Sequence, residues 1–237
     1  MSAKRVNLIE RDERARVTSL LDGYATRWSL DLVGRAIRNG ECPPDLAFDR
    51  FLHPDHRAVS QQHWTPVLVA MRAAAWFEQH GARTVIDIGS GAGKFCVVAG
   101  LASACQYLGL EQRPGLVAAA RELAAGFGVS GRVRFVEGRL AESQHLHADA
   151  YYLYNPFGEN LFGPDEFIDQ EVELSKERHA RDVEATQRLL RRAPSGTLVV
   201  TYNGLGGPLP FGYVELACDR ETRNELRLWR KREPPAA

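Results

Sequence analysis

Residues 85–95, VIDIGSGAGKF, constrain this chain more than any other stretch. An apolar strand carrying one carboxylate, Asp87, runs straight into three glycines spaced two apart, Gly89, Gly91 and Gly93, and then a lysine. Glycines so placed let a backbone pass close to something. From residue 83 onward the rhythm repeats. TVIDI, CQYLGL, RVRFVE, AYYLYN and TLVVTY alternate with helical segments such as RPGLVAAARELAAGFG, which predicts an α/β fold with a doubly wound, mostly parallel sheet. PFGYVELACD and ELRLWRKR, separated by a polar turn, read as an antiparallel C-terminal hairpin on the sheet edge.

Upstream the pattern is helical. Residues 9–38 carry an approximate apolar stripe with a break at Gly23, and NGECPPD stops it. A second helix is expected from Pro66 to His80, with Thr65 as N-cap, Gly81 closing it, and Val67, Met71, Ala74 and Phe77 as its apolar face. The chain thus divides into an N-terminal helical extension over residues 1–80, forming a cover, and an α/β domain over residues 81–237. A long polar segment from Glu171 to Arg192 reads as a solvated helix.

Composition narrows the function classes. Hydrophobic residues at 44% and charged residues at 25% are ordinary for a soluble globular chain, and no apolar run approaches the length of a bilayer span. The N-terminus, MSAKRVNLIERDERARV, has no apolar segment of the secretory kind, so a cytoplasmic location is expected. Thirty basic residues balance thirty acidic ones without a single-sign block, so neither nucleic acid nor membrane is indicated as a partner. Cys42, Cys96, Cys105 and Cys218 form no CxxC pair and read as buried free thiols. His53 and His56 can share a helical face, but no thiol or acidic ligand follows at metal spacing, and no metal site is predicted.

The glycine loop fits neither of two familiar phosphate patterns. A dinucleotide fingerprint needs a third glycine where Lys94 stands, and a P-loop needs a glycine at Ile88 and a hydroxyl residue at Phe95. What remains is a carboxylate one residue before the strand end, which burial disfavours unless it accepts hydrogen bonds from loop amides or a ligand ammonium. The next strand ends in Glu111, where an acid can accept from both hydroxyls of a ribose.

Together VIDIGSGAGKF and LGLE resemble motif I and the ribose-binding acid of the class I, seven-strand S-adenosylmethionine-dependent methyltransferases. The resemblance covers roughly residues 60–232, including the closing hairpin that separates this family from nicotinamide dehydrogenases, the rival enzyme class. A non-catalytic adenosyl-binding module is a rival of another kind. The resemblance implies S-adenosyl-L-methionine as cofactor, with the glycines clearing room for its methionine part. It assigns cofactor contacts to Asp87, Gly89, Ser90, Gly91, Gly93, Glu111 and Gln112, and to Thr65 in a lid with Gln62 and Trp64. After the third strand, Arg139 replaces the family's usual adenine-binding aspartate, which leaves adenine to the backbone of Gly138, Arg139 and Leu140, or to Glu142.

The fourth strand ends YNPFGEN. Pro156 is expected to hold Asn155 extended and to turn the chain across the strand end. Family members that methylate nitrogen often carry Asn or Asp, Pro, Pro and an aromatic here, and NPF looks like a one-proline relative. This implies a catalytic group of Asn155, Pro156 and Phe157, with Asn155 also beside the cofactor and Phe157 offering a π face to the acceptor. LGLE and the Asn followed by Phe also resemble the seven-strand lysine methyltransferase branch, though no basic tail accompanies them. The expected acceptor is a nitrogen of a small molecule or a protein side chain, with an oxygen acceptor as the open alternative. Tyr154, Tyr202 and Asn203 are further candidates for its pocket, and Tyr151 and Tyr152 read as sheet residues.

Overall fold

The alternation beyond residue 83 forms one seven-stranded sheet in a computed structural model that describes residues 25–143 and 146–233. Five parallel strands, β1 (Thr84–Ile88), β2 (Gln106–Glu111), β3 (Val133–Glu137), β4 (Ala150–Tyr154) and β5 (Leu198–Tyr202), precede β6 (Tyr213–Asp219) and β7 (Leu226–Lys231). The order is β3-β2-β1-β4-β5-β7-β6, with β7 antiparallel to β5 and β6 on the edge, as the hairpin reading expects. Strand order reverses beside β1, which opens a crevice at the carboxyl ends of β1, β2 and β4.

The helices are α1 (Leu30–Arg38), α2 (Asp45–Asp49), α3 (Pro54–Ala58), α4 (Ser60–His63), α5 (Val67–Gln79), α6 (Lys94–Ala102), α7 (Pro114–Gly126) and α8 (Lys176–Arg192). Alternate strand residues serve opposite faces. Val85, Tyr107, Val133 and Tyr152 join Phe77, Phe95 and Val117 from α5, α6 and α7 on one side. Ile86, Tyr151, Leu153 and Val199 join Leu189 and Leu190 of α8 on the other. Tyr152 stacks on Phe95 with ring centroids 3.6 Å apart. No helix among the described residues is long and apolar enough to cross a membrane.

Several local expectations change. Of the stretch 9–38, Leu30–Arg38 is helical behind a Ser29 cap, residues 26–27 turn, and residues 9–24 with Gly23 lie outside the described residues. The second helix spans Val67–Gln79, and Thr65 does not cap it. The Thr65 hydroxyl bonds the Tyr152 hydroxyl at 3.0 Å, while Asp45 Oδ1 accepts from the Val67 amide at 2.9 Å, a partner 22 residues away that local pattern does not reveal. Its buried face includes Val69, Ala70 and Ala73, whereas Met71 is half-buried. α8 starts at Lys176, capped by Ser175, and is not simply solvated: Ala185, Thr186, Leu189 and Leu190 are buried beneath its charged outer face. Cys96 and Cys105 are buried, but Cys218 is half-buried and Cys42 exposed.

Candidate functional site

The loop after β1 closes on protein groups rather than on open space. Gly93, at φ 80°, precedes the first turn of α6, and a Cβ there would stand 2.7 Å from Ala120 and Phe135, so it permits helix packing against α7 and β3. Gly91, at φ 54°, lies directly under the Trp64 ring, which would overlap any side chain. Gly89 faces Pro156, whose Cβ would be 3.0 Å from an added methyl. The room expected for a cofactor's methionine part is therefore taken in this structure by Trp64 and Pro156. The Trp64 indole N–H donates to the His56 carbonyl at 2.7 Å, which ties the ring to α3.

Lys94, where a dinucleotide loop has its third glycine, is buried and pairs with Asp45 at 2.5 Å and Asp49 at 2.7 Å. Asp45 is the same residue that caps α5, so one carboxylate joins the glycine loop's helix to the helix that follows Trp64.

Two acids sit beneath the loop. Asp87 accepts from the Cys96 thiol at 3.4 Å, and no loop amide is among its bonds, contrary to expectation. Burial pushes its carboxyl up to about 7, with the thiol bond opposing and the Glu111 charge reinforcing. Glu111 accepts from the Gly91 amide and from the Arg113 amide, each at 3.0 Å, and so clips the loop to the end of β2. Burial raises its carboxyl above the ordinary range against the pull of those amides.

A cavity of about 150 Å³ occupies the crevice. Gly89, Gly91, Glu111 and Gln112 line it from β1 and β2, Gly138, Arg139 and Leu140 from the end of β3, and Asn155, Pro156 and Phe157 from the end of β4. Asp87, Ser90, Gly93 and Thr65 are not on its wall. Asp87 and Ser90 are buried below the loop, and the Ser90 hydroxyl has no hydrogen-bond partner among the described residues. Gln112 accepts from Arg178 of α8. The Gly138 amide donates to the Glu111 carbonyl at 2.9 Å, Arg139 is exposed, and Leu140 is buried. Glu142 is exposed and off the wall.

Asn155 is left-handed, at φ 36°, and not extended. Asparagine tolerates this region, and the turn holds it there: its amide donates to the Gly204 carbonyl at 3.0 Å and its carbonyl accepts from Gly158 at 2.9 Å. Its carboxamide makes no hydrogen bond within the described protein, and a Cβ on Gly158 would overlap it. The Phe157 ring packs mainly into the core beneath α8. Tyr154 lines the cavity and its ring lies 4.8 Å from that of Tyr202, which is buried off the wall; Asn203 and Gln62 are on it.

Three features escape sequence reasoning. Arg113 is buried against Glu159 at 2.9 Å and Asp169 at 3.0 Å, and holds the segment after NPF over the crevice. Glu159 directly follows the NPFG quartet, but its partner lies 46 residues upstream, beyond any local signal. His63 is on the wall with burial lowering its pKa, so its imidazole is neutral near pH 7. Gly158 is the third, and its need is visible only once Asn155 is placed. His53 and His56 lie with rings 5.4 Å apart, and no cluster of three potential metal ligands occurs among the described residues.

No family model matches this chain, and no curated protein sequence does. Solved structures do. An RNA methyltransferase from Salinibacter ruber in complex with S-adenosyl-L-homocysteine is 21% identical, over 72% of this chain and 92% of that one, with a TM-score of 0.50. TrmN from Thermus thermophilus is 17% identical, over 78% and 53%, with a TM-score of 0.56. NcsB1, an O-methyltransferase from neocarzinostatin biosynthesis in complex with S-adenosylmethionine and 2-hydroxy-5-methyl naphthoic acid, is 16% identical, over 78% and 57%, with a TM-score of 0.51. At these identities the likeness is one of fold: the sheet and its helices have the Rossmann-like arrangement of class I methyltransferases.

Proposed function

We propose that this chain, whose fold is that of the class I methyltransferases, uses S-adenosyl-L-methionine to methylate a nitrogen nucleophile. The observation that carries this is a single cavity with the Glu111 carboxylate on one side of β1 and, on the other, the Asn155 carboxamide, which has no hydrogen-bond partner among the described residues. Glu111 accepts the Gly91 amide on one oxygen and the Arg113 amide on the other, with the Gln112 amide also bonding the carboxylate, which leaves acceptor capacity for a ribose hydroxyl. Gly138 and Leu140 offer a wall for adenine. The donor set fits the group, but the cavity of about 150 Å³ is smaller than the ~300 Å³ at which ligand pockets begin. Trp64 is the movable wall in this account, because its ring fills the space over Gly91.

When bound, the cofactor supplies an electrophilic methyl group. Asn155 Oδ1 accepts an N–H of the acceptor and so orients the nitrogen lone pair, a gain of alignment rather than of reactivity. Neutral His63 on the same wall is able to take the proton that the acceptor sheds. Calorimetry tests the cofactor: S-adenosylmethionine and S-adenosylhomocysteine should bind, and NADH and ATP should not. Preference for NADH would overturn the reading. Incubation with methyl-labelled cofactor and a cell extract then identifies the acceptor, and label on oxygen alone would remove the nitrogen assignment.

A further inference from the structure

The connection from β5 to β6, residues 203–212, contains no helix. It crosses the α8 side of the sheet as a strap, with Gly207 against Val183 and the Pro208 carbonyl accepting from Gln187 at 2.9 Å. Between this strap and the β6–β7 hairpin lies a groove of about 1660 Å³, larger than the ~300–1,000 Å³ of small-molecule sites. It runs the length of β7, about 20 Å at ~3.4 Å per residue. One end, at Asn203, is also a wall of the methyl-transfer cavity.

The groove is cationic although the chain as a whole is neutral. Its lining has five basic side chains and two acidic ones, Glu225 and Glu233. Glu225 is shared between Arg220 and Arg227, and Lys231 is held by carbonyls at the end of α8. Arg223 and Arg232, one at each end of β7, are exposed and have no carboxylate partner among the described residues. The Asn203 amide donates to the Glu225 carbonyl at 3.2 Å, which brings the turn that carries Arg223 to the Asn203 end of the groove. Aromatic groups are interleaved: Tyr213 and Trp229 line the groove, and the Phe211 ring is fully exposed on its rim.

We propose that this groove is the acceptor surface and takes a single-stranded nucleic acid, with a base nitrogen delivered past Asn203. The proposal rests on the methyltransferase reading for its chemistry and on the groove alone for its binding. A cationic track with aromatic faces is what unpaired strands use, whereas an acidic peptide would meet the charge but leave Phe211 without a planar partner.

The test is fluorescence anisotropy of the full chain with a labelled single-stranded RNA of about a dozen nucleotides. Binding is expected at about 50 mM salt, weakening about tenfold or more by about 200 mM. Arg223→Glu with Arg232→Glu should weaken it about tenfold or more, and Phe211→Ala should weaken it with the salt dependence unchanged. Cofactor affinity, read by calorimetry on the same proteins, should not move. Absence of binding at low salt, indifference to the double charge reversal, or equal competition by poly-glutamate would each overturn the proposal. RNA binding without cofactor binding would uphold the groove and remove the methyltransferase reading; the converse would remove the groove proposal alone.

Discussion

Lys94 Nζ lies 2.7 Å from Asp49 Oδ1, with both side chains buried, and thereby joins the helix after the glycine loop to α2. Burial raises the Asp49 carboxyl and the Lys94 cation opposes it, so the charge on Asp49 depends on its partner. Lys94→Met strands the buried Asp49 and leaves Asp45 with the Val67 amide. Urea unfolding at neutral pH should show a loss of about 3–5 kcal/mol, the range for removing one member of a buried pair. A loss below about 1 kcal/mol would mean that the pair does not hold the two helices together.

Asp87 gives the stability a pH dependence. Its folded pKa of about 7 stands above the ordinary 3.8, so the native state holds the proton more tightly than the unfolded chain. That contribution is complete below the unfolded value and is lost as pH rises through about 7. Asp87→Asn should therefore gain on the wild type as pH rises across this window, by on the order of 4 kcal/mol at most. Unfolding curves at a series of pH values check this; a constant difference would contradict it.

Trp64 reports on loading. Its ring covers Gly91, and the cavity is too narrow for an adenosyl cofactor while it stays there. Saturating S-adenosylhomocysteine should change tryptophan emission in the wild type and leave Trp64→Phe nearly silent. A full signal in that variant would move the reporter to another of the four tryptophans and leave Trp64 fixed.

Gly158 tests Asn155 without deleting it. An alanine there overlaps the Asn155 carboxamide and forces it aside. Gly158→Ala should keep cofactor affinity within a few-fold and lower single-turnover methyl transfer by about a hundredfold, the scale of one lost aligning hydrogen bond. Asn155→Ala should do the same, and combining the two should add nothing further. Additive losses would show that the carboxamide is not what Gly158 accommodates.

What the sequence disclosed and what it hid divide along range of interaction. The strands, the hairpin and the acids at Asp87 and Glu111 follow from short-range period and spacing. The cap on α5 comes from Asp45 rather than Thr65, and the buried Arg113 finds Glu159 and Asp169 across 46 and 56 residues. Such pairings exist only after the chain has folded. Asn155 misled for a different reason: the restriction that a following proline imposes was outweighed by the bonds its backbone makes to Gly204 and Gly158.

Glu111 is proposed to organise a pocket for an adenosyl cofactor, and titration calorimetry of S-adenosylmethionine into wild type and Glu111→Ala decides it. Removing the carboxylate frees the Gly91 and Arg113 amides and takes away the proposed ribose acceptor. Saturable one-site binding is expected in the wild type and at least about tenfold weaker binding in the variant, matching charge-assisted hydrogen bonds worth about 1.5–3 kcal/mol. No binding to the wild type, or equal affinity in both proteins, would contradict it.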